Sequence, residues 1–141
     1  MKRKEDWELQ FANYIERTRN ADFQYGVNDC GLWACGAVQA MTGEDMVPQL
    51  RGGRYHSKTG AMRAIGGDLV KFAEAIAGQY LLVKVPVKLA HRGDVVMVKT
   101  EQGPALGCVF LDGVQAVAAG KDGLQLVPLT DCSIAWRIPF A

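Results

Sequence analysis

The sequence predicts an α+β fold in which N-terminal helices pack against a C-terminal antiparallel β-sheet. Before residue 80, apolar residues recur at helical spacing between capping residues and glycines. After it, short β-branched runs are separated by turn signals such as Asp112-Gly113. Because the helices precede the strands instead of alternating with them, an antiparallel sheet is expected. The 141 residues, 49% of them hydrophobic, contain no internal repeat and are predicted to form one domain over 1–141.

Four helices are predicted in the first half of the chain. The apolar face of the first comprises Trp7, Phe11, Tyr14 and Ile15. The second begins at Cys30, and a loop rich in glycine and arginine follows it over 45–60. The third covers 59–65. The fourth is capped by Asp68 and ends at Gly78.

The predicted strands occupy the second half of the chain. They are 80–87, 93–98, 106–111, 114–119, 124–127 and a closing segment at 136–138. Pro86 makes the first an edge strand or an extended linker. Asp112-Gly113 and Lys121-Asp122-Gly123 are predicted hairpin turns. Asp94, beside Gly93, is expected to stabilise a turn.

The start of the second helix carries the strongest functional signal. Asp29 or Asn28 can cap the helix, and Gly43 can end it. A thiol at a helix N-terminus lies at the positive end of the peptide dipole, which favours the nucleophilic thiolate. The alternative is a buried structural cysteine in an ordinary capped helix.

Composition argues against several functional classes. The net charge of +1 provides no field that would gather nucleic acid or attach the chain to an anionic membrane. The basic start, Met1 to Lys4, is expected to be solvated, although contact with a partner is an alternative. No apolar run follows it, so neither a signal peptide nor a membrane span is expected.

The cysteines and histidines do not form a metal-binding pattern. Cys30, Cys35, Cys108 and Cys132 match no zinc spacing, and the chain has only two histidines. We therefore expect free thiols in a reducing compartment, with no metal and no cofactor.

Several short motifs, in their order and spacing, carry a resemblance to a known family. They are Asn28-Asp29-Cys30, Ala40-Met41-Thr42-Gly43, Arg51-Gly52, Gly60-Ala61 and Ala105-Leu106-Gly107. With them, the chain resembles the NlpC-like cell-wall cysteine peptidases, a papain-like superfamily. More narrowly, it is similar to a small branch found among phage and prophage tail genes. The resemblance covers 7–136 and implies a papain-like fold.

The resemblance implies that Cys30 occupies the position of a nucleophile that attacks peptide carbonyls of the cell wall. A histidine on a facing strand normally acts as the base, two residues before the glycine matched by Gly107. Here that position is Ala105, whose methyl group cannot accept a proton. Tyr25 matches an aromatic residue near the nucleophile and is a candidate for hydrogen-bonding the oxyanion, or simply for packing beneath the turn.

Other residues are candidates for supporting roles. His56, in the long loop, or His91, in a turn, could replace the missing base, although each fits a solvated position. Arg51 and Arg54, with Tyr55 beside them, could bind a carboxylate-bearing ligand or an acidic partner, or could belong to a solvated loop. A carboxylate such as Asp29 beside the thiol would raise its pKa and oppose activation.

Two functional classes follow. The first is a phage tail-tip component with a degenerate cysteine-peptidase site that acts mainly in tail structure and assembly. Its partners would be tail hub or tip proteins, and it would be made in the host cytoplasm and reside in the virion tail. The alternative is an active peptidase or amidase that cleaves peptidoglycan stem peptides, with Cys30 as nucleophile and an unconventional base. Nothing specific supports a third class, thiol acyl transfer on another substrate.

Overall fold

A computed structural model describes all 141 residues, and its four helices occupy the predicted half of the chain. They are α1 (Trp7–Thr18), α2 (Cys30–Thr42), α3 (Lys58–Ala64) and α4 (Leu69–Gln79). Two predicted caps are confirmed, since Asp29 accepts from the backbone of Leu32 and Asp68 from that of Lys71. Gly43 ends α2 with φ of 89°, a left-handed conformation that glycine adopts without strain.

Six strands follow the helices and form one antiparallel sheet. They are β1 (Val83–Val85), β2 (Val95–Thr100), β3 (Gly103–Val109), β4 (Gln115–Gly120), β5 (Gly123–Pro128) and β6 (Cys132–Arg137). The spatial order is β1-β6-β2-β3-β4-β5. The α+β class is thereby confirmed, and Val83–Val85 is an edge strand as the proline at 86 predicted.

Two details of the sheet differ from the prediction. The closing strand begins at Cys132, four residues before the predicted start, and it pairs with both β1 and β2. In addition, β3 begins at Gly103, three residues before the predicted start. Pro104 argues against a strand at this position, because proline has no N–H to donate to a neighbouring strand. Pro104 is tolerated here because it pairs with Lys99 and turns its nitrogen toward the open side of β3.

The sheet separates two apolar clusters. The larger lies between the sheet and the helices and includes Phe11, Trp33 and Met97. The smaller covers the opposite face and comprises Val96, Val98, Val109, Ala116, Cys132 and Ala135. Because side chains alternate along a strand, odd-numbered residues of β3 face the smaller cluster and even-numbered residues face the helices.

The basic start of the chain is solvated only in part, since Lys2 and Lys4 are exposed as expected and Arg3 is buried. The Arg3 side chain is 1% exposed, and its Nη2 lies 2.8 Å from Oδ1 of Asp94, which is fully buried. The guanidinium lies between the rings of Trp7 and Phe140, at 4.2 and 4.0 Å from their centroids. Nε of Arg137 reaches the other oxygen of the same carboxylate at 2.8 Å. Arg3 is thus a core residue, because a carboxylate distant in sequence neutralises its charge.

The turn role expected of Asp94 is also present. The backbone N–H of His91 donates to its Oδ2 at 2.8 Å, and the Asp94 N–H donates to the His91 carbonyl at 3.0 Å. None of the helices has the length and apolar composition that crossing a bilayer requires.

Candidate functional site

Cys30 is the first residue of α2 and is half-buried. The residue before it, Asp29, has an extended backbone and places Oδ1 3.0 Å from the N–H of Leu32. The helix cap therefore fixes the direction in which α2 starts and, with it, the place of the thiol.

The other oxygen of Asp29 connects the cap to two further segments. Oδ2 accepts from the Gly26 N–H at 3.0 Å and from the Tyr55 hydroxyl at 2.6 Å. Gly26 has φ of 84°, and a Cβ on it would lie 2.1 Å from the Tyr55 carbonyl oxygen. Only glycine allows this close approach, so the turn before Cys30 and the loop after α2 are held together at the site.

The thiol faces a cleft of about 400 Å³ between α2, α3, α4 and β3. Its polar end contains Tyr25, Asp29, Cys30 and Tyr55. The remaining wall is largely apolar, with Ala61, Met62, Ile65, Leu69, Phe72 and Leu106. The volume lies within the range of about 300–1,000 Å³ that is typical of small-molecule sites. Cys30 and Tyr25 are thus brought together, as the resemblance implied.

The environment does not activate the Cys30 thiol. Burial raises the pKa of Cys30, and the charge of Asp29 raises it further. The backbone N–H groups of Leu106, Gly31 and Cys30 itself oppose the rise without cancelling it. Burial also raises the pKa of Tyr25, with contributions from Cys30 and Asp29. Burial and the Asp29 charge therefore oppose the stabilisation of a thiolate that the helix-start position would otherwise provide.

Neither histidine lies at the thiol. His91 packs edge-on against Phe140, with ring centroids 5.7 Å apart, in the region of the buried Arg3–Asp94 pair. His56 is exposed and is not among the residues that line the cleft. The interpretation of His56 or His91 as a base paired with Cys30 is therefore not supported by the geometry.

The strand beside Cys30 also provides no base. Leu106 lines the cleft, and Ala105 lies on the opposite face of the sheet because successive side chains alternate. The position expected to carry the histidine thus faces away from the thiol, and the position that faces it carries an aliphatic side chain. Neither side chain can accept a proton.

Comparison with known protein families identifies the family to which the chain belongs. A family model described as "Domain of unknown function (DUF6950)" matches residues 2–138, nearly the whole chain. The chain belongs to this family. A search among curated proteins gave no significant match. The matched range includes the Cys30 cleft and all six strands of the sheet.

The candidate ligand-binding residues have partners within the chain. Arg51 directs Nε and Nη2 to the carboxylate of Asp45, at 3.1 and 3.3 Å, and Nη1 to the Leu32 carbonyl at 3.4 Å. The carboxylate that Arg51 binds is therefore its own neighbour in the fold. Arg54 is exposed and donates to the Arg51 carbonyl at 3.2 Å. Tyr55 is 7% exposed, and its hydroxyl donates a hydrogen bond to Asp29, the residue that caps α2.

The other cysteines are structural. All four are unpaired, and Cys35, Cys108 and Cys132 are buried. Burial raises the pKa of Cys35 to about 12 and that of Cys132 to about 11. No group of three or more histidine, cysteine or acidic side chains is arranged to hold a metal ion.

Sequence reasoning missed the apolar wall of the cleft. Met62, Ile65 and Phe72 fall within the predicted third and fourth helices without a predicted binding role, although each lines the cavity. The signal that identifies them lies in the structure and not in the sequence. α3 has no fully buried residue, and α4 fully buries only Ala73 and Ala77. Large apolar residues that remain half-buried on two neighbouring helices indicate a cavity that they border.

Proposed function

We propose that the chain is a phage or prophage tail component with an NlpC-like fold and a degenerate cysteine-peptidase site. It acts in tail structure and assembly, with tail hub or tip proteins as partners. The observation that supports a loss of peptidase activity is that no histidine lies beside Cys30, where the only carboxylate, Asp29, is already hydrogen-bonded within the fold. The association with tails rests on the resemblance of the sequence to the tail-gene branch.

The chemistry of thiol peptidases explains why this absence matters. The thiol must lose its proton to attack a carbonyl, and the leaving amine must then receive one. Here the pKa of Cys30 is raised by burial, and the only carboxylate beside it, Asp29, opposes ionisation. Both oxygens of that carboxylate already accept hydrogen bonds from the turn, the helix and Tyr55. Asp29 therefore has a structural role, and neither of its oxygens is free to orient a catalytic base.

One observation favours the alternative, an active peptidase or amidase. Three backbone N–H groups, those of Cys30, Gly31 and Leu106, lower the pKa of the thiol. Donors in this arrangement could also stabilise an oxyanion once a carbonyl reached the sulfur. Such an enzyme would need a base from its substrate or from a partner protein, acting on peptidoglycan stem peptides.

The test uses the phage or prophage that encodes the chain. Deletion of its gene is compared with Cys30→Ala and with the matched variant Cys35→Ala. We expect deletion to abolish intact tails, and Cys30→Ala particles to form in normal number with normal infectivity. Intact tails after deletion would contradict the structural role. Normal Cys30→Ala particles that fail to infect, while Cys35→Ala particles infect, would establish the enzyme instead.

A further inference from the structure

A second, smaller cavity adjoins the cleft beside Cys30. It has a volume of about 30 Å³ and is lined only by hydrophobic residues. The two cavities share Cys35, Val47, Phe72 and Leu106 in their walls. Adjoining walls that are almost entirely apolar suit an aliphatic hydrocarbon chain better than a charged group.

The charges of the cleft do not select an ionic ligand. Lys58 and Asp68 are the charged residues of its outer rim, and their signs are opposite. Asp29 is 5% exposed, with both oxygens occupied by hydrogen bonds. An anionic group at the Cys30 end would meet this carboxylate, so a neutral group is favoured there.

Hydrogen-bond donors remain available at the same end. Three of the four tyrosine hydroxyls donate within the chain, those of Tyr14, Tyr55 and Tyr80. Tyr25 is the fourth, is half-buried and lines the cleft.

The backbone of β3 provides a second donor. Phe110 donates across the β3–β4 hairpin to Gln115, so the alternation of an antiparallel strand places the Leu106 N–H on the same edge. Opposite Leu106 that edge is open, because β4 pairs with β3 only at Cys108 and Val109. The cleft therefore combines apolar walls with two hydrogen-bond donors near Cys30.

The geometry points to a binding site for a neutral aliphatic acyl group, with its carbonyl near Cys30, Tyr25 and the Leu106 N–H. Its hydrocarbon chain lies along the apolar wall that includes Met62 and Phe72. Binding is non-covalent and requires no thiolate. The inference therefore goes beyond the proposed tail role and does not depend on any peptidase activity.

The test is calorimetric titration of the intact chain with N-methyloctanamide and, as a short-chain control, N-methylbutanamide. Each buried methylene strengthens binding roughly fourfold, so we expect the longer amide to bind at least tenfold more tightly. It should also slow the alkylation of Cys30 by iodoacetamide. Equal affinity for the two amides, or no protection of Cys30, would overturn the assignment.

Two variants locate the site. Ala61 lines the cleft from α3, whereas Ala64 on the same helix is exposed and outside it. We expect Ala61→Phe to weaken N-methyloctanamide binding at least tenfold, and Ala64→Phe to leave it unchanged with the same circular dichroism spectrum. Equal affinities in the two variants would contradict the site.

A peptide probe distinguishes an acyl chain from aliphatic side chains. Tighter binding of acetyl-Leu-Leu-amide than of N-methyloctanamide would overturn the acyl assignment. Peptide hydrolysis by the chain would refute the degenerate site and leave these affinities unaffected. Failure of the amide to bind would leave the tail proposal standing, so the two failures are distinguishable.

Discussion

The Tyr55 hydroxyl donates a 2.6 Å hydrogen bond to Oδ2 of Asp29, the residue that caps the helix of Cys30. This contact attaches the loop after α2 to the start of α2. Asp29 is 5% exposed and Tyr55 is 7% exposed, so water does not replace the bond easily. The Asp29 carboxylate, next to the thiol, therefore stabilises the fold and is not free to act in catalysis.

Removal of that bond should destabilise the fold. Tyr55→Phe keeps the ring and deletes the hydroxyl, which leaves Asp29 with one partner fewer in a buried position. Hydrogen bonds to charged groups contribute about 1.5–3 kcal/mol, and we expect the free energy of unfolding to fall by about that amount. Urea denaturation measures it. Tyr80→Phe is the matched control, because its hydroxyl makes only a 3.4 Å contact with the Asp45 carbonyl. Equal losses in the two variants would contradict the role of the Asp29 contact.

The Arg3–Asp94 pair should be the most sensitive polar element of the core. Asp94→Asn removes the charge that neutralises Arg3, whose side chain is 1% exposed. Loss of one partner from a buried pair costs about 3–5 kcal/mol, since the remaining charge stays buried. The loss should appear in chemical denaturation. Glu16→Gln breaks an exposed pair with Arg19 and should change nothing measurable. An Asp94→Asn protein as stable as the parent would refute this account.

The orientation of β3 can be tested by introducing the missing base. Leu106→His places an imidazole in the cleft, where its protonated form should lower the pKa of Cys30 and accelerate alkylation at pH 7. Ala105→His places the same ring on the opposite face of the sheet and should leave the alkylation rate unchanged. Faster alkylation in Ala105→His than in Leu106→His would show that the strand faces the other way.

Local signals made the helices predictable. Asp29, Asp68 and Gly43 act within one turn of the helix ends that they define, so sequence alone identifies them. The two hairpin turns of the second half were predictable for the same reason. The start of β3 was not, because Pro104 is a poor strand residue unless its nitrogen faces an open edge.

Distant contacts were not predictable. Arg3 and Asp94 are 91 positions apart, and Asp29 and Tyr55 are 26 apart, so no local pattern relates them. Which residue of β3 faces Cys30 depends on the strand register, and an offset of one residue moves every side chain to the other face. The resemblance placed Tyr25 near Cys30, and the sequence predicted the turn at Asp94, whereas the apolar cleft and the pairing of Asp94 with Arg3 required the structure.

The most direct test of the central claim is the rate of Cys30 alkylation by iodoacetamide between pH 5 and 10, with Cys30→Ser as the blank. An unperturbed thiol has a pKa near 8.5. Because burial and the Asp29 charge raise the pKa of Cys30, we expect slow alkylation that increases only at alkaline pH, with a midpoint above that value. Rapid alkylation with a midpoint well below 8.5 would reveal an activated thiolate and contradict the degenerate site.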